Sequence, residues 1–380
     1  VRRFALVSVL ALAACGRVSY ASHDLVGGVA MGNDHACVLS AGGLRCAGSN
    51  TLGQLGRGDA SASLSFVAVA LGEASTGVEV SAAYGATAVR DVRGAVWTFG
   101  AGDRGQLGRA VSGPAVGLVA LPGPSTRVSL RFEHGCAIVE EALFCWGSNA
   151  EGELGQDDPV GSADRSSPVR VAPSMAFADV SCGQGHTCAV TTSGALLCWG
   201  RNTEGELGLG DGVPGQLRAP TEVSGRWSSV AAGQSHTCAI RDDGDLYCWG
   251  DDFDADGHAG PLGLEGTAVH TLPTLVDGGG DWVALSTDTF HTCGVRADGS
   301  LWCWGRNAEG QGGLGDRTAR ADAPRRVGSE HVWAEVAVGR FTTCARTRDG
   351  RLFCAGDNRD GQLGLGDRDL RDRFTQVQLP

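Results

Sequence analysis

Lysine is missing altogether: every basic residue is an arginine, so no phosphate loop of the Gly-x-x-x-x-Gly-Lys type exists here. Neither a Gly-x-Ser-x-Gly elbow nor a His-Glu-x-x-His pair occurs, so no linear signature of hydrolysis or of a catalytic metal is available. The paired carboxylates Asp242 and Asp243 fall in a turn sequence, where aspartate is favoured for backbone reasons. These absences lead to the expectation that the protein is not an enzyme. A surplus of positive charge is also lacking. The net charge of −12 argues against holding nucleic acid or an anionic bilayer by charge. Beyond the N-terminus no apolar run is long enough for a transmembrane helix, and no convincing amphipathic helix can be traced.

What the chain has instead is repetition. HTCAVTTSGALLCWG (186–200), HTCAIRDDGDLYCWG (236–250) and HTCGVRADGSLWCWG (291–305) superimpose without a gap. Looser copies lie at 35–48, 134–147 and 342–356, and a degenerate one at 85–100. The closing glycines are Gly48, Gly100, Gly147, Gly200, Gly250, Gly305 and Gly356. Their period is about 51 residues, long for a WD40 blade and close to a kelch blade. Each is followed by a Gly-x-Leu-Gly element, in stretched form at Leu262-Gly263 and Leu314-Gly315. Within a repeat the apolar period is two, with short runs separated by Gly, Asp and Ser. A Pro-x-x-Val run, a Val-Ala-Ala run, a His-x-Cys run and a Leu-x-Cys-Trp run give about four strands per unit. Four-stranded units in seven copies predict an all-β, seven-bladed β-propeller over residues 24–380. The chain opens without a Pro-x-x-Val run and ends with FTQV at 374–377, a strand with no following unit. The expectation is therefore that the ring closes by pairing the C-terminal strand with the first blade.

The string GQSHTCAIRDDGDLYCWGDD with its following Gly-x-Leu-Gly resembles the repeat of the regulator of chromosome condensation family. The resemblance spans roughly residues 24–380 and implies the same propeller. Roles found in that family include guanine-nucleotide exchange, light reception through clustered tryptophans, and inhibition of β-lactamases by secreted bacterial members through aromatic-rich loops. Function nonetheless resides in sites grafted on the fold.

The N-terminus, VRRFALVSVLALAACG, reads as a signal peptide over residues 1–14. Leu12-Ala13-Ala14-Cys15 resembles a bacterial lipobox, which makes Cys15 the expected lipidation site and residues 15–23 a tether. Twelve cysteines form six pairs: Cys37 with Cys46, Cys136 with Cys145, Cys188 with Cys198, Cys238 with Cys248, Cys293 with Cys303, and Cys344 with Cys354. Each flanks one turn, and disulfides at those positions suit an exported protein. The degenerate second unit has Thr87 and Thr98 in the expected cysteine places. The pairs lack Cys-x-x-Cys spacing, which argues against zinc. Cys182 is left over and reads as a small core residue.

His35, His134, His186, His236 and His291 recur once per repeat and read as hydrogen-bonding groups between strands or blades. Asp252, Asp254 and Asp256, followed by Gly257, match the opening of a calcium loop but lack the closing glutamate, so calcium is the single cofactor to weigh. The expected function is non-catalytic binding: a monomeric, lipid-anchored scaffold of the bacterial envelope, periplasmic or cell-surface, presenting one propeller face to a protein or glycan. Enzyme inhibition is the alternative, and a hydrolase or lyase with a dispersed loop site comes third. The variable segments 108–120, 155–168, 210–219 and 251–270 are where an interface is expected.

Overall fold

The computed structural model describes residues 28–72, 76–110, 113–156, 163–252, 260–264, 266, 268–318 and 320–379. The expected signal peptide, Cys15 and the expected tether lie outside them. Seven four-stranded antiparallel sheets follow one another along the chain, each built from consecutive strands in simple up-and-down order. Blade 4 is typical, with an inner strand Phe177–Cys182, a second His186–Thr191, a third Leu196–Arg201 and an outer Gln216–Val223. The second strand is buried at every position, because neighbouring blades cover both of its faces. Inner strands touch their neighbours all the way round, including Val29–Met31 against Trp333–Val338. The ring is closed and surrounds a channel of about 200 Å³ lined by one strand from every blade.

The phase of the blade differs from the expectation. The Pro-x-x-Val run is the outer strand of its blade, as Val223 opposite Leu196 shows, so a blade begins with the Val-Ala-Ala run. The first blade is therefore whole, with Ser63–Ala68 as its outer strand. The C-terminal strand Arg371–Val377 pairs with Leu352–Gly356 of the seventh blade and not with the first. Among the described residues no strand is exchanged across the closure. Side chains and loops hold that seam instead. Val29 N donates to Glu335 Oε1 at 2.8 Å, and Arg346 Nη2 donates to the Leu39 carbonyl at 2.8 Å. Gly366 N donates to the Leu64 carbonyl at 2.8 Å. One apolar cluster joins Val29, Met31, Val38 and Phe66 to Leu352, Leu363 and Val377.

The seven closing glycines have a geometric cause. All have φ between +94° and +107°. A Cβ on Gly200 would lie 2.4 Å from the Gly185 carbonyl oxygen and 2.7 Å from His186 Cα. The position needs both a left-handed backbone and the close passage of another strand, which only glycine supplies.

The Gly-x-Leu-Gly loops are bracketed by an asparagine two residues after that glycine. Asn50, Asn149, Asn202, Asn307 and Asn358 each accept, through Oδ1, the amide five residues on. In blade 6 that amide belongs to Gly312, so the loop is not stretched there. Gly312 stands in the place of leucine, and the Leu314 side chain folds back against it. Blade 5 is stretched, and Asp252 stands where asparagine does elsewhere.

Large side chains at the blade seams come in two interchangeable arrangements. Blades 3, 4, 5 and 6 place Trp146, Trp199, Trp249 and Trp304, all buried, on the third strand against the final glycine of the preceding loop. The facing outer-strand position is then Pro168, Pro220, Pro273 or Pro324. Blades 1 and 7 carry Ala47 and Ala355 on the third strand, and Phe66 or Phe374 from the outer strand covers the glycine. The volume is kept while its donor strand changes.

Candidate functional site: clamped seams and the loop face

The repeated histidines are fully buried and reach across the seams. Nε2 of His35, His134, His186 and His291 lies 2.7–2.9 Å from Oγ1 of Thr87, Thr187, Thr237 and Thr343 in the following blade. His236 reaches Thr287 in the same way, with Thr292 alongside. Thr87, Thr187, Thr237 and Thr292 in turn donate to the carbonyls of Gln54, Glu153, Glu206 and Pro261 in the preceding blade's loop. With the hydroxyl protons of Thr87, Thr187 and Thr237 spent there, His35, His134 and His186 donate from Nε2. Trp199, Trp249 and Trp304 give their indole N–H to the same three carbonyls, of Glu153, Glu206 and Pro261. Trp146 donates likewise to Gln106. The clamp is lost in whole pairs. Blade 2 has Ala86 for histidine and blade 3 has Gly135 for threonine; blade 7 has Thr342 and blade 1 has Ala36. The structural reading of the histidines is the one the geometry supports.

The six cysteine pairs read from the sequence come together as disulfides. Cys37 is bonded to Cys46 in blade 1 and Cys136 to Cys145 in blade 3. Cys188 is bonded to Cys198 in blade 4, and Cys238 to Cys248 in blade 5. Cys293 is bonded to Cys303 in blade 6, and Cys344 to Cys354 in blade 7. Each pair lies at directly opposed positions of the second and third strands, with Cα atoms 4.0–4.2 Å apart. Such pairs are in keeping with an oxidising setting. In blade 2 the residue opposite Thr98 is Ala88, not Thr87. Thr87 belongs instead to the clamp, because the cysteine place lies one residue further along. Cys182 is buried with Sγ 3.5 Å from the Ser129 carbonyl, and burial pushes its thiol up to about 12. An inert core residue fits these facts.

Asp254 and Asp256 lie outside the described residues. Asp252 is buried, and its Oδ1 accepts the amides of Gly260 and Leu262 at 3.2 and 2.9 Å. It thus does the work of the loop-bracketing asparagine. Burial, opposed by those amides, pushes its carboxyl up to about 7. Its charge opposes folding: stability present below about pH 4 is lost as pH rises through 7. Asp252→Asn is therefore expected to gain about 2 kcal/mol at pH 8 and nothing below pH 4, read by urea unfolding at both.

Connections between first and second strands, and between third and outer strands, share one end of the ring, here termed the loop face. Of the variable segments noted in the sequence, the described residues 108–110, 163–164, 210–215 and 260–264 lie in the outer connections of this face. At its centre Arg131 of blade 3 crosses the channel mouth. Its Nη1 pairs with Asp288 Oδ2 of blade 6 at 2.8 Å, and Nη2 donates to the Thr287 carbonyl. Around this brace stand side chains from the inner loop tips. Tyr84 is 55% exposed, and Leu52 of blade 1, 42% exposed, covers the next residue in the chain, Gly85. Phe132 lines the same rim and sits at φ +45°, a backbone state unusual for a bulky residue. Phe290 and Phe341 stack at 5.3 Å between Arg306 and Arg340. Sequence reasoning missed this gathering, because its members are scattered over five repeats.

These features define a closed seven-bladed propeller whose repeats are clamped by a His/Thr relay and a Gly-x-Leu-Gly loop. The profile of the RCC1-like domain matches residues 43–380, and the chain belongs to that family. The ultraviolet-B receptor UVR8 of Arabidopsis thaliana is 32% identical over 301 residues, covering 75% of this chain and 66% of the receptor. The mouse regulator of chromosome condensation is 26% identical over 317 residues, 75% of this chain and 73% of that protein. Human E3 ubiquitin-protein ligase HERC2 is 27% identical over 305 residues, 76% of this chain but 6% of the ligase. Yeast RCC1 (Prp20) has a TM-score of 0.77 at 18% identity, with 100% of this chain and 90% of that chain covered. Human WBSCR16 has a TM-score of 0.74 at 21% identity, with 88% and 93% covered. These two likenesses are of fold.

Proposed function

We propose that the protein is a non-catalytic binding module of the bacterial envelope, anchored by lipid on Cys15, that presents its loop face to a protein or glycan partner. The observation that carries this reading is the presence on one face of exposed Tyr84 and Leu52, Phe132 in its unusual backbone state and the stacked Phe290 and Phe341. Aromatic and arginine side chains on a rigid frame are the usual anchors of protein recognition. The cysteine pairs support the compartment, since disulfides persist outside the cytosol.

The test is affinity capture and crosslinking from envelope extracts with residues 16–380. Leu52→Ser with Tyr84→Ser is expected to abolish recovery of the partner. Val92→Ser, at a turn on the opposite face, is expected to leave recovery intact. Equal recovery with both variants removes the reading. The loop-tip aromatics also favour enzyme inhibition as a second reading. Assays against β-lactamases, with and without the same paired change at Leu52 and Tyr84, separate the two.

A further inference from the structure

We infer that the sector of the loop face between blades 6 and 7 is an anchor for a carboxylate side chain of an acidic protein segment, with Arg340 as its ligand. The inference rests on the proposal that the loop face is the recognition surface, and it names the partner chemistry of one sector.

The residue just before the repeated histidine place is Asp34, Gly85, Glu133, Gly185, Ser235, Phe290 and Phe341 in blades 1 to 7. Only the last two are aromatic, and they are neighbours. Their rings stack with centroids 5.3 Å apart and planes 21° apart. Arg306 lies 5.7 Å from both centroids, and Arg340 lies 5.7 Å from Phe290 and 5.1 Å from Phe341. The two guanidiniums are not equivalent. Arg306 is engaged by Glu309, with Nε and Nη2 each 3.0 Å from a carboxylate oxygen. Arg340 is exposed, and among the described residues it makes no hydrogen bond or ion pair. Ring contact restrains its plane while its donor edge stays open. A restrained guanidinium fork is suited to a planar carboxylate, and less rotamer entropy remains to be lost on binding. The charge distribution agrees. Arginines balance carboxylates within residues 281–380, so the whole net charge of −12 lies before them. An acidic segment is repelled by the rest of the ring and least opposed here.

The test is selection of a displayed library of random dodecapeptides on the full-length protein, followed by titration of the selected peptides made synthetically. The expected result is enrichment of Asp or Glu beside an apolar residue. R340Q is expected to weaken binding about tenfold or more. R340K should weaken it less, and Arg348→Gln, at an exposed turn of the other face, should not change it. Thermal unfolding of R340Q should match the unaltered protein. Peptides without acidic enrichment, undiminished binding to R340Q, or displacement by millimolar inorganic phosphate alone would overturn the inference. Peptides lost on Tyr84→Ser but not on R340Q sink it while leaving the loop face as the recognition surface. No selected peptide at all, or peptides indifferent to both variants, sink both.

Discussion

Trp199→Ala is expected to cost about 4 kcal/mol of unfolding free energy, and adding Pro220→Phe to return a large part of it. Trp199 is fully buried, packs on Gly155 and gives its indole N–H to the Glu153 carbonyl. Its removal opens a cavity at the seam between blades 3 and 4 and leaves a buried carbonyl with one donor fewer. Blades 1 and 7 show how the same chain fills that volume otherwise. There alanine stands in the tryptophan place, and Phe66 or Phe374 reaches the loop glycine from the outer strand. The double variant rebuilds blade 4 in that second form. It does not restore the indole hydrogen bond, so recovery stops short of complete. Denaturant unfolding of the single and double variants supplies the measurement. A double variant less stable than Trp199→Ala would show that the two arrangements are not interchangeable.

Acid should unfold the ring steeply below about pH 4. Burial holds His134, His236 and His291 down to about 3 and His186 well below the usual range, the latter helped by Arg201. In the unfolded chain these residues titrate near 6.5. Their contribution is fully present above that value and is lost as pH falls toward 3, at up to about 1.4 kcal/mol per residue per pH unit. Carboxyls raised by burial work in the opposite sense, Glu153 and Asp360 among them. Burial pushes Asp179 up to about 6, and Asp252 and Glu335 up to about 7. Their stabilisation is present below about pH 4 and lost as pH rises through 6 to 7. Partial exposure of Asp179 and Glu335 moderates that opposing effect. The sum is a shallow decline from pH 6.5 to 4.5 and a steep one below, where the carboxyls are protonated in both states. Urea midpoints across this range check the shape; a midpoint constant to pH 3.5 contradicts it.

Much of the architecture was legible because each repeat states it again. Blade number, strand number, the cysteine pairs and the seam role of the histidines follow from residues recurring in register. What repetition does not disclose is phase. A periodic string has no marked beginning, so the Pro-x-x-Val run served equally as the first strand of one unit or the last of the one before. The same ambiguity produced the expected exchange of the C-terminal strand. Blade 6 misled for another reason: Leu314-Gly315 imitates the loop ending, while the asparagine bracket selects Gly312. The paired exchange of Trp with Pro for Ala with Phe is present in the letters, but it acquires meaning only once the outer strand is set beside the third. The loop face was the least legible part. Tyr84 with Phe132, and Phe290 with Phe341, are brought together by the packing of adjacent blades, and no local pattern connects them.

The sense in which the chain enters the ring has a consequence for orientation. The first described strand runs from Val29, beside the turn after Ser40, toward the loop face at His35. The last strand runs the other way and finishes at Val377 opposite Leu352, on the turn side. The described backbone therefore enters the ring at the end opposite the Arg131–Asp288 brace. Entry and exit of the described backbone thus share the turn side, and the aromatic rim occupies the other end of the ring, like the bowl of a dish above its foot.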